Sequence, residues 1–145
     1  MTGLQFLNQP PRFLFFTGKG GVGKTSIACA TAIQLVDARK KVLLVSTDPA
    51  SNVGQVFGVT IGNQITAIPA VSGLSALEID PQAAAQAYRD RIVGPVRGVL
   101  PETVVKSIEE QLSGACTTEI AAFDEFTTLL TDSALTAGYD HIVFD

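Results

Sequence analysis

The chain has 145 residues, 46% of them hydrophobic and 17% charged, with a formal net charge of −4. That size and balance describe one globular domain, not a disordered or low-complexity segment. They exclude the broad basic face that nucleic-acid backbones require, and no apolar run approaches the ~20 residues that cross a bilayer as a helix.

The opening stretch, MTGLQFLNQPPRFLFFTG, has neither the basic n-region nor the long apolar h-region of a secretory leader, so a cytoplasmic location is expected. Arg12 to Phe16 (RFLFF) reads as a short buried strand that runs into a glycine loop. KTSIACATAIQLVDARK follows, with apolar residues almost all round, which predicts a helix buried against a sheet. Arg39, Lys40 and Lys41 fall in or just past its last turn, where cations suit the helix dipole. KVLLVST is a near-continuous apolar run, the pattern of a parallel strand covered on both faces. Strand, loop, helix and strand make a right-handed βαβ unit.

Ser75 to Asp80 (SALEID) predicts a third strand. Pro81 then opens a helix over PQAAAQAYRDRIV, with Asp80 as its N-cap. PETVVKSIEEQL predicts a second helix with Pro at its start, stopping at Ser113-Gly114. A further helix covers roughly Thr117 to Leu130, and YDHIVFD is the last of four strands. The expected fold is α/β: a P-loop NTPase with a parallel sheet flanked by helices in three α/β/α layers, one ATPase domain over residues 1–145. Four strands are few for an open sheet of this type, and no crossover follows Asp145. We therefore read the sequence as an incomplete, amino-terminal portion that stops at a strand end.

GKGGVGKT, Gly18 to Thr25, satisfies G-x-x-x-x-G-K-[ST] between a predicted strand and a predicted helix. Glycines there let successive backbone N–H groups point into one concavity, and the helix N-terminus adds partial positive charge. The nucleotide-binding set is Gly18, Lys19, Gly20, Gly21, Val22, Gly23, Lys24, Thr25 and Ser26. Lys24 reaches the β- and γ-phosphates of ATP, and the Thr25 hydroxyl binds Mg²⁺. Two acids stand at strand ends, where open α/β sheets bind ligands. We assign Asp145 to the metal side and Asp48 to orienting the attacking water; the alternative for either is a solvated loop acid or a cap. Glu78 reads as structural. Lys19 is the surplus, because one phosphate cradle needs one lysine.

KGGVGKT, with Lys19 directly after the first glycine, resembles the deviant phosphate loop of a family of dimeric ATPases. That family includes septum-site and plasmid-partition ATPases, nitrogenase iron protein, tail-anchored protein targeting ATPases and arsenical pump-driving ATPases. STDPASN resembles the switch I segment of the last two groups. SGACTTEIAAFDEF, Ser113 to Phe126, resembles the arsenical pump-driving ATPases in particular. The similarity runs from FLFFTGKGGVGKTS through GLSALEIDPQAAAQ and GVLPE to DHIVFD.

The resemblance implies a long polypeptide with two homologous ATPase halves, of which this chain is roughly the first half of the first. It implies ATP and Mg²⁺ as cofactors and arsenite or antimonite as an allosteric ligand. The implied partners are an integral membrane arsenite efflux protein and a metallochaperone, with peripheral attachment to the inner membrane. By resemblance, Lys19 crosses to the nucleotide held by the facing half, and Asp48 is the switch I acid that helps activate water. Asp145 lies near Mg²⁺, and Cys116 binds trivalent arsenic or antimony. The segment after Asp145 and the facing half are absent from this chain, which is expected to hydrolyse ATP poorly alone.

Two cysteines are too few for a disulfide framework and are expected to be reduced. Thiolate is a suitable ligand for a soft trivalent centre, but one thiolate cannot close a site, and a lone Cys is usually a small buried hydrophobe. Cys116, between two predicted helices, suits an accessible thiol. Cys29 reads as helix packing and His141 as structural. Three other readings compete. A tail-anchored protein targeting factor would need an apolar groove, usually rich in Met, and Met1 is the only Met. A redox protein would need two cluster cysteines per subunit. A GTPase is compatible with the phosphate loop alone.

Overall fold

The computed structural model describes residues 5–18, 23–47 and 53–145. Lys19, Gly20, Gly21, Val22 and Asp48 lie outside them. Among the described residues a five-stranded sheet has the order β1-β5-β2-β4-β3. The strands are β1 (Phe13–Phe15), β2 (Val42–Ser46), β3 (Thr66–Ala67), β4 (Leu74–Glu78) and β5 (His141–Phe144). β1, β5, β2 and β4 pair in parallel, and β3 adds an antiparallel edge through Thr66↔Ala76 and Ala67↔Ser75. This fifth strand goes beyond the expected four. It is two residues long and lies in a hairpin that turns through Gly73 at φ 96, too short to show a periodicity.

The helices are α1 (Lys24–Asp37), α2 (Val53–Phe57), α3 (Pro81–Val93), α4 (Glu102–Gln111), α5 (Ala115–Thr131) and α6 (Ser133–Thr136). No described helix is long and apolar enough to cross a membrane. The chain divides into two compact units: one made of residues 1–79 and 132–145, the other of Asp80–Thr131.

The first unit holds the sheet. Every residue of β2 and β5 is buried, which is why they read as unbroken apolar runs. α1 packs Ala28, Cys29, Thr31, Ala32 and Leu35 onto the sheet residues Val42, Leu44, Leu74, Ala76 and Val143. This is the helix buried against the sheet that its sequence predicts, with Ile27, 49% exposed, on its outer side. Ala28 and Ala32 belong to the packed stripe, while Ile27 and Ala30 give the exposed side its apolar character. His141 is structural as expected: it is buried, and its Nδ1 donates to Pro11 O at 2.8 Å.

The second unit is helical. Asp80 caps α3 by accepting from Gln82 N and Ala83 N, with Pro81 at the first position, as its sequence predicts. Ala84 and Ala85 of α3 meet Ala121 of α5, and small side chains let the two helices approach closely. Arg91 bridges to Asp124 at 2.8 Å and Arg97 to Glu109 at 2.6 Å; both pairs are exposed and contribute little stability.

Candidate nucleotide site

The site is assembled at the carboxyl ends of β1, β2 and β5, where parallel strands deliver their loops. β1 leads through Gly18 into the glycine loop, which the described residues rejoin at Gly23. Gly23 is the N-cap of α1, with φ 83 and ψ 18. A Cβ added there would meet nothing within 4 Å among the described residues, so the backbone angle, not space, calls for glycine. The first intrahelical bond runs from Ile27 N to Gly23 O at 3.1 Å, and no side chain caps the turn before it. Lys24 and Thr25 therefore stand on an open helix N-terminus that favours an anion. Both are half-buried, whereas Ser26 and Gly18 are exposed.

Asp145 reaches the same place from the far end of the sequence. β5 lies between β1 and β2, so the residue after Phe144 emerges beside the start of α1. Asp145 is 3% exposed. Its Oδ2 accepts from Thr25 Oγ1 at 2.8 Å, and its Oδ1 has no hydrogen-bond partner among the described residues. A buried carboxylate oxygen without a donor is costly, and a cation is the partner that suits it. A carboxylate and a hydroxyl are hard oxygen donors of the kind Mg²⁺ takes. The residues present thus fit Mg²⁺.

Thr47 is a site residue that sequence reasoning missed. Its N and Oγ1 both donate to the main-chain O of Asp145, at 3.0 and 3.1 Å. Together with Asp145 N donating to Val45 O at 2.8 Å, this fixes the acid's backbone to the end of β2. In the sequence Thr47 is only the last letter of KVLLVST, and nothing there signals a contact with a carbonyl so distant along the chain.

The two cysteines differ as expected. Cys29 is buried in α1, and burial, followed by the charge of Asp145, pushes its thiol from 9.0 up to about 11. It stays a protonated packing group. Cys116 is an exposed free thiol. It sits inside the first turn of α5, not in a connection between helices, because the helix begins at Ala115, earlier than its sequence suggests. Among the described residues no three or more His, Cys, Asp or Glu side chains are grouped to hold a metal ion.

The family described as anion-transporting ATPase matches residues 11–145. The chain belongs to the anion-transporting ATPase family. An arsenical pump-driving ATPase of Escherichia coli is 73% identical over 142 residues, 98% of this chain and 24% of that protein. Another, from Acidiphilium multivorum, is 69% identical over 142 residues, again 98% of this chain and 24% of the relative. The ATPase get3 of Schizosaccharomyces japonicus is 51% identical over 75 residues, 52% of this chain and 23% of that protein. The chain thus spans about a quarter of the length of the curated relatives it matches. Membership of the anion-transporting ATPases agrees with the resemblance read from KGGVGKT and SGACTTEIAAFDEF.

Proposed function

We propose that this chain carries the nucleotide site of an ATPase that energises export of arsenite or antimonite through an integral membrane efflux protein. The supporting observation is the pairing of Thr25 Oγ1 with Asp145 Oδ2 at 2.8 Å, beside a buried oxygen that lacks a donor among the described residues. Bound Mg²⁺-ATP would supply a transferable phosphoryl group with its charge partly neutralised by the metal. Gly23 shapes the cradle and Lys24 neutralises phosphate charge. Thr25 and Asp145 are the donors that would hold Mg²⁺, with Thr47 fixing Asp145 in place. Asp48 orients the attacking water, and Lys19 serves a nucleotide held by a facing ATPase half in the same polypeptide.

In this reading the exposed thiol of Cys116 is a soft ligand for trivalent arsenic or antimony, delivered by a metallochaperone, and its further ligands come from outside these residues. The two compact units belong to one ATPase domain, attached peripherally to the inner membrane through the efflux protein. Antimonite added to the intact protein is expected to raise ATP turnover, with the stimulation lost in Cys116→Ala and basal turnover retained. Equal stimulation in that variant would remove Cys116 from the site. A second reading, targeting of tail-anchored membrane proteins, is favoured by Ile120 and Phe123, which are 53% and 68% exposed on α5. Retention of a hydrophobic tail peptide by the intact protein would support that reading over metalloid export.

A further inference from the structure

The segments that lead into β1, β2 and β5 are tied into one rim at the amino ends of the strands. Ile142 N donates to Arg12 O at 2.7 Å, and Asp140 N and His141 N donate to Lys41 O at 2.7 and 3.2 Å. Arg12, Arg39, Lys40 and Lys41 are all exposed there. The acids of α1's last turn and of the segment entering β5 are Asp37, Asp132 and Asp140, and the Asp140 carboxylate is engaged by Lys41 N at 2.8 Å. The turn into β4, from Ile68 to Gly73, adds no charge. The rim therefore has an excess of cations in a chain that holds 14 acids against 10 bases.

The dipole of α1 accounts for cations just past its C-terminus. It does not account for the backbone of Arg39; Arg12, which precedes β1, holds its guanidinium 5.7 Å from the centre of the Phe13 ring. Arg39 has φ 64, in the left-handed region where a helix ordinarily ends on glycine and a side chain is strained. Its N donates to Val36 O at 2.8 Å, closing the helix as a glycine would. An exposed cation kept at a strained position is an outlier that points to function.

We propose that this rim docks onto the anionic headgroups of a phospholipid bilayer. The choice of lipid over a protein segment rests on the membrane partnership proposed above. Cytoplasmic loops of membrane proteins carry an excess of Lys and Arg and would repel the rim, whereas the cytoplasmic leaflet is anionic and attracts it. The attraction is electrostatic and fades as salt shortens the screening length.

The test is co-sedimentation of the intact, nucleotide-free protein with vesicles of phosphatidylcholine alone or mixed with phosphatidylglycerol. Binding is expected on the mixed vesicles only, and to fall at high salt. Arg39→Gln, Lys40→Gln and Lys41→Gln together are expected to weaken it about 100-fold, and Asp140→Asn to strengthen it about 5-fold. ATP turnover and melting temperature in the triple variant should match the parent. Equal vesicle binding by the triple variant, binding to phosphatidylcholine alone, or retention of polyglutamate in preference to vesicles would each overturn the proposal. No metalloid, ATP or efflux protein enters this assay, so failure of antimonite stimulation leaves its outcome intact, and the reverse holds too.

Discussion

Helix α1 is bounded by two left-handed residues, and the two ends of the sheet use them differently. At its start Gly23 has φ 83; beyond its end Arg39 has φ 64. At the carboxyl end of the strands the bare backbone of Gly23 leaves the start of α1 without a side-chain cap, and Asp145 beside it is buried with an oxygen unsatisfied among the described residues. At the amino end the same backbone angle carries a guanidinium into solvent among other exposed cations. Burial turns a charge into a short-range ligand, because its field is strong and its desolvation must be offset by a specific partner. Exposure turns a charge into part of a long-range field that salt can screen. One helix thus joins a site that selects by contact to a surface that selects by sign.

The largest effect is expected where the charge is buried. Asp145→Asn should weaken Mg²⁺-dependent nucleotide binding by on the order of 10–100-fold, as loss of an oxygen ligand or its support typically does. Its melting temperature should be unchanged or higher, since a buried charge with an unsatisfied oxygen has been removed. Titration of Mg²⁺ against nucleotide binding in the intact protein, alongside thermal denaturation, checks both. Normal Mg²⁺ dependence in this variant would make Asp145 a structural acid and erase the contrast between the two ends.

Cys29 reports on the same buried environment. Its thiol is pushed up to about 11 by burial first and by the charge of Asp145 second. An unfolded chain releases this proton near the ordinary value of 9.0, while the folded chain holds it until about 11. Folding stability should therefore be lost progressively as pH rises across that window and level off above it. Cys29→Ala should flatten the loss, measured as unfolding midpoints in denaturant against pH. At neutral pH a thiol reagent followed by peptide mapping should label exposed Cys116 and spare Cys29. Labelling of Cys29 in the native protein would show that the helix opens behind the phosphate loop.

Gly23→Ala tests backbone angle against space. No described neighbour would touch the new methyl group, so any destabilisation is the cost of the left-handed conformation, about 1–2 kcal/mol. Nucleotide affinity should fall with it, because relief of strain pulls the N–H groups out of register. A stability equal to the parent's would mean that the loop finds another conformation.

The features legible in the sequence are those announced by more than one local signal. Asp80-Pro81 supplies a cap and a first-turn residue together, and α3 begins and ends where its sequence predicts. The phosphate loop carries its own motif, and the rule that ligands sit at carboxyl strand ends brought Thr25 and Asp145 to one place despite their separation. What was not legible had either no length or no local cause. β3 and α2 are too short to carry a period. Thr47 acts through a carbonyl contact set by sheet order, and strand order is not written in either strand.

The smallest expected effect lies at the exposed end and tests the contrast from the other side. Arg39→Gly should stabilise the fold by up to about 1 kcal/mol, because glycine adopts φ near 64 without strain. Part of that gain is offset by the greater freedom of glycine in the unfolded chain. The nucleotide site lies at the opposite end of α1, so nucleotide affinity should not move. If the rim acts by charge, the same variant should bind anionic vesicles several-fold more weakly while melting higher, a split between stability and binding that packing alone does not produce. A variant that melts higher and binds vesicles as the parent does would leave Arg39 as strain without a use, and would confine specific electrostatics to the end that holds Asp145.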